Sequence, residues 1–195
     1  MKKIAIFASG YGSNMMALHQ KIKQGKLPVS FALFVSDKPN APATQYAQKH
    51  NVPSFVFSPK AYKNKEAYEQ DILDCLIKHK VDLIVLAGYM RYVGQLLLKA
   101  YANRMINIHP SLLPNFKGKN AIEQAFMAKA KETGVTVHYV DEKIDHGQII
   151  TQEKCQLYET DTIESLTERI HKIEHELYAK AILSILEENH EKSLN

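Results

Sequence analysis

Through its first half the chain alternates short runs rich in Ile, Val, Leu and Phe with longer amphipathic segments. Few architectures accept that order. Short apolar runs separated by helix-period segments are the signature of parallel strands joined by helical crossovers. Strands are expected at 3–8, 29–35, 54–57, 83–86 and 105–108, with helices between them. Within 65–80, Tyr68, Ile72, Cys75, Leu76 and His79 recur at helical spacing and turn one face toward the sheet.

After Ile108 the order changes. Two β-rich stretches, 134–140 and 148–154, are separated by 141–147, too short for a crossover helix, so they are expected to pair as an antiparallel hairpin. A last helix is expected from Asp161, where Asp161 and Glu164 have capping spacing, with Ile163, Leu166, Ile170, Ile173 and Leu177 as its core stripe. The reading is an α/β fold. A doubly wound, mostly parallel sheet with a Rossmann-like N-terminal half carries an antiparallel hairpin and a long C-terminal helix. One domain is expected over 1–188, with a polar tail over 189–195.

Composition narrows the class further. At 45% hydrophobic and 24% charged over 195 residues, the chain matches a globular domain and excludes collagen-like, disordered and disulfide-scaffold classes. A net charge of +4 without a long basic run suits phosphate-bearing small molecules, and no nucleic-acid partner is expected. Cys75 and Cys155 are isolated, which gives two buried thiols rather than a redox pair or zinc knuckle. The N-terminal apolar run stops at a Gly-rich turn and reads as a strand. No stretch approaches the roughly 18–20 apolar residues of a membrane span, so a cytoplasmic protein with no membrane partner is expected.

Ligands of open α/β sheets bind outside the carboxyl ends of the strands. Four unusual loops fall at such ends, 9–14, 87–91, 107–114 and 140–145, and are expected to converge on one site. Ser9-Gly10-Tyr11-Gly12-Ser13-Asn14 leads from a strand into a helix, where backbone N–H groups and the macrodipole favour a phosphate; a purely steric role for the glycines is equally open. Asp37, after the second strand, is where a dinucleotide-binding protein holds a ribose hydroxyl, although Ser13 and Asn14 fit a monophosphate better. Asn107 and His109 flank Ile108, so alternation puts a donor and an acid/base group on one face, unless His109 is only structural. Asp141, Glu142 and Asp145 form either a solvated turn or the source of a carboxylate that raises the pKa of His109. His138 either faces the same cleft or pairs with a neighbour. Metal binding by His109, His138 and Asp145 lacks supporting ligand spacing, so no metal is expected. An Asn donor, a His acid and a carboxylate without a Ser or Cys nucleophile suit acyl transfer to a substrate that brings its own nucleophile, such as an amine.

These motifs resemble those of the phosphoribosylglycinamide formyltransferases, from Ser9 to about Tyr178. The most specific is Asn107-Ile108-His109-Pro110-Ser111-Leu112-Leu113-Pro114, with 9–14 and Ala87-Gly88-Tyr89-Met90-Arg91 narrowing the match. The resemblance implies the formyltransferase fold and direct attack of the glycinamide ribonucleotide amine on the formyl carbon of 10-formyltetrahydrofolate, a co-substrate. It implies that Asn107 hydrogen-bonds the oxyanion, that His109 assists and delivers a proton, and that Asp145 orients them. Gly12, Ser13 and Asn14 would hold the ribose phosphate, and Glu174, with His171, Lys172 and Ile173, the ribonucleotide. Folate would lie against Met90, Arg91, Tyr92 and Val93, against Asn107, and against Val140, Asp141, Glu142, Lys143 and Ile144, with Lys65 as a nearby cation. Lys117, Glu123, His146 and Gln148 depart from the family's usual residues. The related initiator methionyl-tRNA formyltransferases normally, and formyltetrahydrofolate hydrolases typically, carry an additional domain, and at this length neither is expected. A non-catalytic nucleotide-binding module would leave Asn107, His109 and Asp145 without a role. A monomer or homodimer is expected.

Overall fold

Strand β1 (Lys2–Phe7) owes its place to Ile4, Ala5, Ile6 and Phe7, all fully buried, so both of its faces are covered as in a parallel sheet. The computed structural model describes the backbone of residues 1–192 and the side chains of residues 1–187. The chain divides into two compact units, Met1–Ile106 and Asn107–Asn195.

The first unit continues with α1 (Ser13–Lys23), β2 (Val29–Ser36), α2 (Pro42–Lys49), β3 (Ser54–Val56), a 3-10 turn at Pro59–Ala61, α3 (Lys65–Lys78), β4 (Leu83–Leu86) and α4 (Gln95–Ala100). β1 pairs in parallel with both β2 and β4, and β2 in parallel with β3. The centre of this arrangement is apolar: Ile6 faces Phe34 on one side and Val85 on the other. α3 starts where the Asn64 side chain accepts the Ala67 amide, and it buries Tyr68, Ile72 and Leu76. Cys75, expected buried, is only half-buried, because its position lies at the edge of that face.

β5 (Met105–His109) begins in the first unit and ends in the second, which adds α5 (Ala121–Met127), β6 (Glu132–Tyr139), β7 (Ile149–Gln156) and α6 (Ile163–Lys192). β6 and β7 form the expected antiparallel pair, from Glu132 opposite Gln156 to His138 opposite Ile149, each strand extending about two residues beyond its expected outer end. The register shifts between Val137 and His138, an irregularity of the kind that re-aims a side chain. α6 packs on both strands and buries Leu166, Ile170, Leu177, Tyr178, Ile182 and Ile185. Ile163 and Ile173, expected in the stripe, are half-buried at its margins. Hydrogen-bonded strands follow the order β3-β2-β1-β4-β5-β6-β7, a mixed sheet with mostly parallel strands.

The start of α6 differs from expectation. Thr162, not Asp161, supplies the cap: its hydroxyl accepts the Ser165 amide at 3.2 Å while the Ser165 hydroxyl accepts the Thr162 amide at 3.1 Å, a reciprocal box in which Ser165 replaces Glu164. Asp161 is engaged elsewhere, by the Arg169 guanidinium at 2.9 Å and the Tyr158 amide at 2.8 Å. Those two contacts hold its carboxyl far below the usual range. The helix runs on to Lys192, through the first residues of the expected tail; 193–195 lie outside the described residues.

Candidate active site

β5 ends on His109, and period-two alternation places Asn107 and His109 on one side of the strand while Ile108 is buried on the other. His109 is itself buried. Its Nε2 donates to the Phe116 carbonyl at 2.8 Å, and its Nδ1 lies 3.4 Å from Asp145 Oδ2. Both ring nitrogens therefore face acceptors, and the ring donates to both only as imidazolium. Of the three acids in the hairpin turn only Asp145 is turned inward, at 9% exposure and with φ 47°, while Asp141 and Glu142 are solvated. Asp145 Oδ2 also accepts the Gly118 amide at 2.8 Å. Burial pushes its carboxyl up, but the partner His138, the Gly118 amide and the charge of His109 outweigh that, and the net displacement is downward.

His138 completes the group. Its Nδ1 lies 2.8 Å from the Tyr139 carbonyl, its Nε2 lies 3.7 Å from Asp145 Oδ1, and the same Nε2 lies 3.3 Å from Asn107 Nδ2. This contact orients the Asn107 amide with its nitrogen toward His138, and the amide retains a second N–H. The sequence left His138 with two readings; the structure places it beside Asn107 and Asp145. The available signal was parity, since Thr136 and His138 alternate with the fully buried Val135 and Val137 on a strand covered on both faces, where polar groups need partners.

The loop after β5 is braced by neighbours that sequence reasoning missed. Thr136 donates to the Ser111 carbonyl at 2.7 Å and accepts the Leu113 amide at 3.1 Å, and Gln152 Nε2 donates to Thr136 at 2.8 Å and to the Leu113 carbonyl at 3.0 Å. The Leu113-Pro114 bond is cis. Among the described residues no group of three or more His, Cys, Asp or Glu is arranged to hold a metal ion.

In the first unit, Gly12 precedes α1 with φ 82°, and a Cβ there would lie 2.7 Å from the Ala43 Cβ, so backbone conformation and the close approach of α2 both demand glycine. No side chain caps α1 and its first turn holds no acid, which leaves the helix start at Ser13 and Asn14 electropositive. A cavity of about 390 Å³ lies against Ser9, Gly10, Tyr11, Lys38 and Pro42. Asp37 is not available to a ribose. It is 3% exposed, accepts from the Ser9 hydroxyl at 2.5 Å and lies 3.7 Å from Arg91, so the dinucleotide reading loses its acid.

The remaining expected binding residues fall into distinct settings. Met90 and Tyr92 project exposed side chains, while the Met90 amide is held by the Ser9 hydroxyl at 2.9 Å and the Arg91 guanidinium lies 5.9 Å from the Tyr68 ring centroid. Val93 is half-buried, and Lys65 stands 3.8 Å from Glu69. Val140 is half-buried and leads into the exposed Asp141, Glu142, Lys143 and Ile144. Asp141 accepts the Lys143 amide at 2.8 Å and pairs with His146 at 3.0 Å. On α6, Glu174 is buried and helps push the Tyr178 hydroxyl up, after burial itself. An exposed helix charge is therefore not its setting. His171 stacks on His175 with centroids 6.5 Å apart, Lys172 is exposed and Ile173 half-buried.

A Rossmann-like half ends beside a strand whose Asn-x-His terminus meets an acid brought by a hairpin, an arrangement suited to acyl transfer, and residues 2–182 match the family model described as "Formyl transferase". The chain belongs to that family. It is 50% identical over 186 residues, 95% of each chain, to the phosphoribosylglycinamide formyltransferase of Bacillus subtilis. Among solved structures, glycinamide ribonucleotide transformylase 1 from Geobacillus kaustophilus is 50% identical with a TM-score of 0.92, over 95% of this chain and 99% of that one. The phosphoribosylglycinamide formyltransferase from Bacillus halodurans is 49% identical with a TM-score of 0.91, over 95% of each chain.

Proposed function

We propose that this chain transfers the formyl group of 10-formyltetrahydrofolate to the amine of glycinamide ribonucleotide in purine biosynthesis. The observation that carries the reading is the His109 ring placed between Asp145 and the Phe116 carbonyl with the Asn107 amide on the same strand face. The amine forms the new C–N bond at the formyl carbon, and the carbonyl electrons move to oxygen. Asn107 N–H and His109 stabilise that oxyanion. On collapse the bond to folate N10 breaks; His109, its Nε2 N–H released from the Phe116 carbonyl while Nδ1 stays on Asp145, gives that proton to N10 and takes back the one the amine sheds, so protons balance. Asp145 orients His109 through its contact with Nδ1. The cluster contains no Ser or Cys, which favours direct transfer over a covalent enzyme intermediate.

Gly12, Ser13 and Asn14 take the ribose phosphate on the uncapped start of α1, and His171, Lys172, Ile173 and Glu174 take the remainder of the ribonucleotide. The exposed Met90 and Tyr92 on a backbone already held at Met90 suit a flat, partly apolar ligand, which supports placing folate against Met90 to Val93, Asn107 and Val140 to Ile144, with Lys65 for its carboxylate. The substrates are small molecules, with no role for nucleic acid or a membrane, and we place the protein in the cytoplasm as a monomer or homodimer. No helix among the described residues is long and apolar enough to cross a membrane. The test mixes purified protein with both substrates and follows formyl-folate. Consumption that requires the ribonucleotide supports the reading, and formate release without it points to a hydrolase instead.

A further inference from the structure

We propose that Glu69, which neither the motifs nor the catalytic cluster include, is a positioning residue for folate: its buried carboxylate ties the loop carrying Met90 to Val93 to the helix end carrying Lys65. The inference rests on the placement of folate above. Glu69 lies on α3, one turn beyond Lys65, and is 3% exposed. Its Oε1 accepts the Gly94 amide at 2.7 Å and stands 3.8 Å from the Lys65 ammonium. One carboxylate therefore touches the residue that ends the loop and the cation expected to meet the substrate.

Burial makes this an expensive place for an acid. It pushes the Glu69 carboxyl up, and the Gly94 amide and Lys65 only partly oppose it. An apolar residue at this position would continue the buried face made by Tyr68, Ile72 and Leu76, so burial alone does not call for a carboxylate. The adjacent residue reaches the same loop, since the Tyr68 ring lies 5.9 Å from the Arg91 guanidinium. At its other end the loop is held by the Met90 amide on Ser9 and by Arg91 on Asp37. Without Glu69, Gly94 loses its anchor and Lys65 its local anion, while Ser9 and Asp37 keep theirs.

Gly94 provides an independent handle. Its φ of −89° suits any residue, but a Cβ there would collide with the Glu69 carboxylate. Gly94→Ala therefore disturbs the contact from the opposite side without backbone strain. Steady-state kinetics on the full chain should show that Glu69→Ala and Gly94→Ala each raise KM for 10-formyltetrahydrofolate about tenfold, the scale of losing one hydrogen bond to a charged group. Both kcat and the ribonucleotide KM should stay within about twofold, and the double variant should add little to either single one. Glu69→Gln, whose amide oxygen still accepts from Gly94, should restore more than half of the lost affinity on a logarithmic scale.

A folate KM unchanged in both single variants overturns the proposal, as does an equal rise in both substrates' KM. If Glu69→Ala fails to fold, Gly94→Ala and Glu69→Gln decide by the same criterion. Amide hydrogen exchange separates this inference from the functional reading. Loss of Gly94 protection in Glu69→Ala together with weaker calorimetric binding of tetrahydrofolate supports it even if wild-type protein transfers no formyl group. Unchanged protection and unchanged binding refute it.

Discussion

Replacing Asp145 by Asn removes one charge from a site where the surroundings already hold the side chain in place. The Asn oxygen can still accept the Gly118 amide, now satisfied at 2.8 Å, so the turn keeps its anchor. What disappears is the anion 3.4 Å from His109 Nδ1. At that separation and an effective dielectric of 20, Coulomb's law gives about 5 kcal/mol for the attraction to a charged imidazole, an upper bound because Asn leaves a dipole behind. General acid–base catalysis is itself worth about 10²–10⁴-fold, and the expected fall in kcat is accordingly about 10³-fold. Formyl-folate consumption at saturating ribonucleotide measures it, with a thermal melt alongside to verify folding. The same carboxyl is held below its ordinary value in the folded chain, so it adds stability above the unfolded-state pKa and loses it as pH falls through the folded value. Asp145→Asn should therefore flatten the loss of stability below about pH 4. A variant that folds and keeps kcat within about threefold of wild type would refute the assigned role.

Gly12→Ala should lower the melting temperature by several degrees and raise the ribonucleotide KM, since it combines about 1–2 kcal/mol for a left-handed backbone with overlap against Ala43; calorimetry and kinetics read the two effects. The His19 imidazole is held below its ordinary value by burial, Lys23 and His50. Its contribution is complete above pH 6.5 and is lost as pH falls toward the folded value, so the urea midpoint should drop between pH 7.5 and 5.5, and His19→Phe, which keeps the packing on Phe31 and Tyr46, should drop less. Thr162→Ala should reduce stability by about 1 kcal/mol, the usual value of an N-cap, and Glu164→Ala, which removes only a first-turn acid, should cost less, a comparison that chemical denaturation makes directly.

The strands were legible because their burial on both faces writes continuous apolar runs, and the helix at Lys65–Lys78 because its stripe has one period. Asn107 and His109 were legible for the same reason: strand parity is local. The meeting of His109 with Asp145 was legible only through the family resemblance, because 35 intervening residues fold between them and parity says nothing about where a turn aims its acid. Which hairpin acid would enter depended on the left-handed backbone at Asp145 and on the Gly118 amide. The α6 cap misled through composition, since Asp161 and Glu164 match the capping pattern as well as Thr162 and Ser165 do, and only Arg169, eight residues along, draws Asp161 away. Glu69 carried no signal at all, being an ordinary glutamate on a charged helix until Gly94 is brought to it.

Asp37, Glu69 and Asp145 follow one physical rule. A buried carboxylate is costly unless donors surround it, and each of these three takes at least one donor from a loop. Asp37 takes the Ser9 hydroxyl, whose oxygen in turn holds the Met90 amide; Glu69 takes the Gly94 amide; Asp145 takes the Gly118 amide. Each acid also faces a cationic or protonatable side chain, respectively Arg91, Lys65 and His109. Loops that must present backbone groups to a ligand cannot be fixed by covering them with apolar residues, which would occupy the ligand's place. An acid reaching from beneath fixes the backbone and leaves the upper surface open, and in the proposed reading the side chain it pairs with is thereby held for an anionic or developing negative charge. The buried acids are accordingly where substitution should separate binding from folding most cleanly, because neutral isosteres at these positions retain the acceptor while removing the charge.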